Sequence, residues 1–167
     1  MKQILEESDM HIPYEEDACY RIEQSPLVAK LKGVKIVEFV QVTGKRRISL
    51  LEAKTTAPRR DNPGDYDKYK RDICEKFQNS ILLINAAKIG RREDIFSELP
   101  QKLQVADYKS ASYHLILVIK NSRIEWLPDL TADLRSQVHP FLKCWNIPTT
   151  NFIVLNEQLA KERGIVE

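Results

Sequence analysis

GVKIVEFVQVTGKRRISLLEAKTTAP, residues 33–58, is the stretch whose reading decides the fold. It reads as two β-branched, apolar strands joined by a tight turn, with Glu38 in the first strand and Glu52 and Lys54 in the second. Side chains alternate across a strand with period two, so Glu52 and Lys54 project from one face, about 6–7 Å apart along the strand. Ile48 and Leu50 share that face, so the charged pair continues a row that enters a core. Removing a carboxylate and an ammonium from water costs several kcal/mol unless they are paired or bind a metal.

Whether Glu38 joins them depends on the turn. A three-residue Gly44-Lys45-Arg46 loop sets Thr43 against Arg47 and Glu38 against Glu52, on one face. A two-residue Gly44-Lys45 loop instead sets Glu38 against Leu51 and turns its carboxylate to the opposite face. A shared site therefore requires an odd loop or a bulge.

Outward from the hairpin the chain alternates helical and strand patterns. Residues 1–13 show no clear periodicity and read as an N-terminal arm, either a loose helical turn or disordered, ended by Pro13. Tyr14 to Lys32 is helix-compatible, either as one kinked helix or, preferably, as a short element through Ile22-Glu23 and a new helix from Pro26 with Ser25 as its N-cap. Gly33 stops it. Beyond the hairpin, residues 55–67 read as an exposed loop. A long helix follows from about Asp65 to Ile89, with Tyr69, Ile73, Phe77, Ile81 and Ile84 as its stripe and Gly90 after its end. Residues 91–110 hold at most a short packed turn or helix. YHLILVIK, residues 113–120, is a strand buried on both faces. Pro128 opens a further helix that Pro140 should kink or divide, and NFIVL, residues 151–155, is the last strand. The expected architecture is α/β, a mixed central sheet flanked by helices, with residues 14–167 as a single domain.

Composition narrows the function classes. At 167 residues, 43% hydrophobic and 30% charged, the chain suits one soluble domain. Its longest apolar runs, residues 81–84 and 115–119, fall far short of the roughly 18 residues of a membrane span. The acidic N-terminus lacks the layout of a signal peptide, so a cytoplasmic protein is expected. Cys19, Cys74 and Cys144 form no CxxC pair and read as reduced thiols. The net charge of +2 demands no nucleic acid, but basic residues cluster around the hairpin. Among them Arg59, Arg60, Lys68, Lys70 and Arg71 are candidates for a phosphate-binding surface, with Gln78 able to reach toward the site. Tyr66 and Tyr69, interleaved with the lysines, could stack on bases or be structural. Trp126 and Trp145 read as core or rim residues. His11, His114 and His139 have no paired spacing, which argues against zinc.

Two carboxylates converging from adjacent strands suit Mg²⁺, which takes one or two carboxylates with waters and substrate phosphate oxygens. A neighbouring lysine can orient or deprotonate an attacking water or stabilise developing charge. An acid in one strand followed by Glu-x-Lys in the next, between a helix and a long helix, resembles the PD-(D/E)XK nuclease superfamily. The resemblance implies a restriction-endonuclease-like core and cleavage of phosphodiesters, of DNA rather than RNA, dependent on Mg²⁺ or Mn²⁺. It assigns Glu38 as the first acid, Glu52 as the second and Lys54 as the lysine, with Glu23 as a candidate for the extra helical glutamate. Double-strand cleavage by one site per chain implies a homodimer. The first acid is Glu rather than Asp and follows Val37 rather than Pro. The competing expectation is a catalytically inactive module on the same fold that binds nucleic acid or a protein partner.

Overall fold

The computed structural model describes residues 1–44 and 46–167. In chain order the strands are β1 (Lys2–Glu7), β2 (Met10–Glu15), β3 (Cys19–Tyr20), β4 (Phe39–Thr43), β5 (Arg47–Lys54), β6 (Ser112–Ile119) and β7 (Phe152–Asn156). The helices are α1 (Pro26–Ala29), α2 (Pro63–Lys88), α3 (Glu93–Glu98), α4 (Gln101–Val105), α5 (Leu127–Cys144) and α6 (Glu157–Glu162). Strands β3-β4-β5-β6-β7 form one sheet in that order. The first three run antiparallel, and β5, β6 and β7 are mutually parallel. The protein is therefore α/β with a mixed sheet flanked by helices.

Strand alternation assigns the two faces. Val40, Ile48, Leu50, Leu115 and Leu117 pack into one core with Ile73, Phe77, Ile81 and Ile84 of α2 and Leu134, Val138 and Leu142 of α5. Phe39, Leu51, Ala53, Ile116 and Val118 form a second core with Met10, Ile12 and Ala160. Both crossover helices, α2 from β5 to β6 and α5 from β6 to β7, thus lie on one face, as right-handed crossovers stepping the same way require. The continuous apolar run of β6 is explained by its central place between the two cores.

Several local readings hold. Ser25 caps α1, its hydroxyl accepting from the Val28 N–H, after a 3₁₀ turn at Ile22–Gln24. Gly90 follows α2 with φ +79°, the left-handed geometry that glycine adopts at least cost, although the helix opens at Pro63, inside the stretch expected to be loop, rather than at about Asp65. Others are corrected. Residues 1–13 are neither helical nor a disordered arm: β1 and β2 form a hairpin whose Met10 and Ile12 are buried under the sheet. Its two-residue turn, Ser8 and Asp9 with φ +50° and +57°, has the positive-φ pair that favours Asn-Gly, and Ser-Asp gives only a faint cue for it. Tyr14 to Tyr20 is strand and loop rather than helix, and pairing in β4 begins at Phe39 rather than soon after Gly33. Residues 91–110 hold two short helices, not one. α5 runs unbroken through Pro140 because that ring is on the solvent side, where the Ser136 carbonyl it leaves unbonded can meet water.

The hairpin turn generates a prediction. Ser8→Asn combined with Asp9→Gly should relieve two unfavourable backbone conformations and stabilise the protein by about 0.5–1 kcal/mol. An increased urea midpoint with an unchanged m-value is the expected result.

Candidate active site

The β4–β5 pairing decides the turn question. Thr43 opposes Arg47 and Phe39 opposes Leu51, the register of a three-residue connection, whose middle residue, Lys45, lies outside the described residues. Extended by one step, that register places Glu38 opposite Glu52, on the face covered by α2. Pairing in β4 stops at Phe39, and the Glu38 side chain takes over a ladder donor left free: the Ala53 N–H donates to Glu38 Oε2 at 2.7 Å. Glu38 is 6% exposed and Glu52 is fully buried at 0%.

Two ammonium groups close on Glu52. Lys54 Nζ lies 2.7 Å from Glu52 Oε1, and Lys76 Nζ, from α2, lies 2.6 Å from the same oxygen. Lys76 also faces Glu23 Oε1 at 3.4 Å, so the glutamate of the 3₁₀ turn is linked to Glu52 through one shared cation. Glu52 Oε2 is shielded from solvent and has no hydrogen-bond partner among the described residues; the Tyr69 hydroxyl is likewise unpartnered. The Lys54 side chain, 34% exposed, is the member of the group that reaches solvent.

The electrostatics follow from this crowding. Burial, then the neighbouring Glu52 and Glu7 carboxylates, push Glu38 up to about 9 against the Ala53 hydrogen bond and Lys54. Burial raises Glu52 as well, opposed by Lys76 and Lys54. Burial works against the Lys76 ammonium, but Glu52 outweighs it and Lys76 stands above its ordinary value. Of the two acids, Glu52 is the one with ammonium groups at contact distance. Burial also raises the Tyr69 phenol, with Glu52 adding to the shift.

The structure brings Glu38, Glu52, Lys54 and Glu23 together and adds Lys76, which sequence reasoning missed. The signal was present: Lys76 interrupts the apolar stripe of Tyr69, Ile73, Phe77 and Ile81 at helical spacing. Gln78 is not brought in, because two residues from Lys76 means roughly half a turn around the helix. The basic candidates divide by partner. Arg60 makes a bidentate contact with Asp133 at 2.8–3.0 Å and meets Asp129 at 3.2 Å, tying the loop after β5 to α5. Lys68 pairs with Asp72, and Lys70 pairs with Asp67 while lying over the Tyr66 ring. Arg59 contacts Asp61 only at 3.7 Å, and Arg71 is exposed with no ionic partner among the described residues. Tyr66 is buried and donates to Asp133, which leaves it no free face for a base.

No protein-family model, curated protein or solved structure matches this chain. Among the described residues, no helix is long and apolar enough to cross a membrane. No three histidine, cysteine or acidic side chains converge as a metal-holding group among them either. The two buried acids of the site, Glu38 and Glu52, are a donor set suited to a hard cation that completes its shell with water and phosphate oxygens. Glu52 Oε2, buried and without a partner, is the atom on which that fit rests.

Glu38 makes the site's stability depend on pH. With its folded value raised from 4.5 to about 9, its folded form holds more protons than the unfolded chain between those values. Its contribution is complete below the unfolded value and is lost as pH rises through the folded one. In EDTA, the melting temperature of the wild type should fall between pH 6 and pH 9. Glu38→Gln, which keeps an acceptor for Ala53, should flatten that fall, each kcal/mol recovered at alkaline pH raising the midpoint by about 2–4 °C.

Proposed function

We propose that this protein is a divalent-metal-dependent nuclease that hydrolyses DNA phosphodiester bonds on a restriction-endonuclease-like core of the PD-(D/E)XK type. The observation that carries the reading is the register that opposes Glu38 and Glu52, with Lys54 and Lys76 both within 2.7 Å of Glu52. An isolated structural ion pair needs neither the second acid nor the second cation.

Glu38 and Glu52 are the residues that would hold Mg²⁺ or Mn²⁺, with Glu52 Oε2 the open donor. A cation bound there supplies Lewis-acid polarisation of the phosphodiester and a more acidic water. The chain's own groups do the remaining work. Lys54, fixed at one side by Glu52 and open to solvent at the other, presents its ammonium to the attacking water or to the charge that develops on phosphate. Lys76 balances the Glu52 charge inside the fold and holds that carboxylate in place, and Glu23 holds Lys76 from the opposite side. The apolar floor of Val40, Leu50 and Phe77 lowers the local dielectric and strengthens each of these contacts. Cleavage of both strands of a duplex with one site per chain calls for a homodimer.

A second reading is favoured by one feature: in this arrangement Glu52 already has two cations and Glu38 already accepts from Ala53. On that reading the fold is a non-catalytic nucleic-acid-binding module and the cluster is structural.

Nicking of supercoiled plasmid separates the two. Mg²⁺ or Mn²⁺ should support nicking by the wild type, EDTA should stop it, and Glu52→Gln and Lys54→Ala should each lower the rate at least about 100-fold. A wild type that retards DNA with a steep salt dependence, yet cuts it with neither metal, would establish the binding module instead.

A further inference from the structure

Beside the acid cluster, a cavity of about 410 Å³ opens at the carboxyl ends of the parallel strands β5 and β6. Its lining includes Thr56, two residues beyond Lys54, Arg59, Asn121 and Ser122 after β6, and Trp126 before α5; the two acids in it, Asp61 and Asp129, face Arg59 and Arg60 respectively. The crevice beyond the carboxyl ends of parallel strands is where open α/β sheets take ligands. The volume lies in the range of small-molecule sites.

Trp126 is the feature that requires explanation. It sits on a 3₁₀ turn, Ile124–Trp126, and remains 38% exposed beside an Ile124 that is 55% exposed. Two guanidinium groups attend its ring, Arg59 at 4.9 Å and Arg123 at 5.2 Å from the centroid. Neither is committed elsewhere: Arg59 has only its 3.7 Å contact with Asp61, and Arg123 has no ionic partner among the described residues. An indole flanked by two guanidinium groups that no close ion pair holds can serve as a stacking platform: a planar base can take the place of one guanidinium over the ring, and the displaced guanidinium can turn to the phosphate. Asn121, Ser122 and Thr56 supply amide and hydroxyl groups suited to a base edge.

We propose that this cavity takes a single unpaired nucleotide of the DNA strand whose backbone passes Lys54, its base stacked on Trp126 and its phosphate met by Arg59. The inference rests on the nuclease reading and narrows it: the preferred substrate carries an unpaired base next to the scissile phosphate. Within intact duplex the base would stay in its own stack and the cavity would be unused.

The test is binding in EDTA, where no cleavage occurs, with the full chain. Trp145→Phe leaves Trp126 as the only tryptophan, because the sequence has two. Oligodeoxythymidylate should quench its fluorescence and bind several-fold tighter than a blunt duplex of equal length. By fluorescence anisotropy of a labelled single strand, Trp126→Ala should weaken binding about 5- to 100-fold, whereas Trp126→Phe should retain most of it. Arg59→Ala should weaken binding and reduce the salt slope by about one phosphate contact. Equal quenching by duplex, or single-strand binding unchanged in Trp126→Ala, would overturn the proposal even if the protein nicks plasmid. Trp126-dependent single-strand binding by a protein that cuts nothing would uphold the cavity while refuting the nuclease.

Discussion

A fully buried carboxylate on an otherwise apolar sheet face is the constraint that organises this molecule. Glu52 continues the row of Ile48 and Leu50, and its desolvation costs several kcal/mol before any partner is counted. The fold meets that cost by bringing cations from two directions, Lys54 from the same strand and Lys76 from the helix packed over it. Each partner fixes a piece of structure. Lys76 sets the rotation of α2 on the sheet, Glu23 fastens the 3₁₀ turn to α2, and Glu38 closes the open end of the β4–β5 ladder. A leucine at position 52 would extend the apolar row at lower cost, since buried ion clusters are commonly matched or bettered by hydrophobic residues of similar volume. Stability alone therefore gives no reason for the cluster, which is why the proposed function assigns it a chemical one.

Much of this was legible from the hairpin. Period-two alternation fixed which side chains share a face, and the apolar run of β6 marked it as an interior strand, which it is, between β5 and β7. The register was not legible, because Gly44-Lys45-Arg46 accommodates two loop lengths and only the observed pairing of Thr43 with Arg47 selects one. Lys76 was hidden for another reason. A lysine in a helical stripe usually covers apolar surface with its stem, and only the tertiary position of Glu52 reveals that its head is needed inside. The N-terminal hairpin escaped because short strands with a Ser-Asp turn carry little local signal; its evidence is the lower sheet face, which Met10 and Ile12 cover.

The basic residues show the limit of reading charge from spacing. Grouped in sequence, Arg60, Lys68 and Lys70 suggested a phosphate surface, yet each faces an acid in the fold. Exposed pairs of this kind contribute little stability, but they neutralise the field a polyanion would feel. Arg60 is the exception in purpose: its bidentate hold on Asp133, supported by the Tyr66 hydroxyl, anchors the loop after β5 to α5. Of the cations near the loop after β5, Arg59 has only a 3.7 Å contact with Asp61 and Arg123 has no ionic partner among the described residues, and both attend Trp126.

That remainder links the site to the cavity beside it. The Lys120 N–H donates to the Lys54 carbonyl and the Asn121 N–H to the Thr55 carbonyl, so the parallel ladder continues past the strand ends into the walls of the cavity. Lys54 and Thr56 are therefore carried on one rigid edge, and Asn121 and Ser122 on the edge beside it. Arg60 ties the loop after β5 to α5, and the turn that leads into α5 carries Trp126, so both sides of the cavity are anchored to one helix. A strand laid along that edge would meet a charge at one end and an aromatic face at the other, in fixed order. On the proposed nuclease reading, that arrangement selects position along a strand rather than base identity.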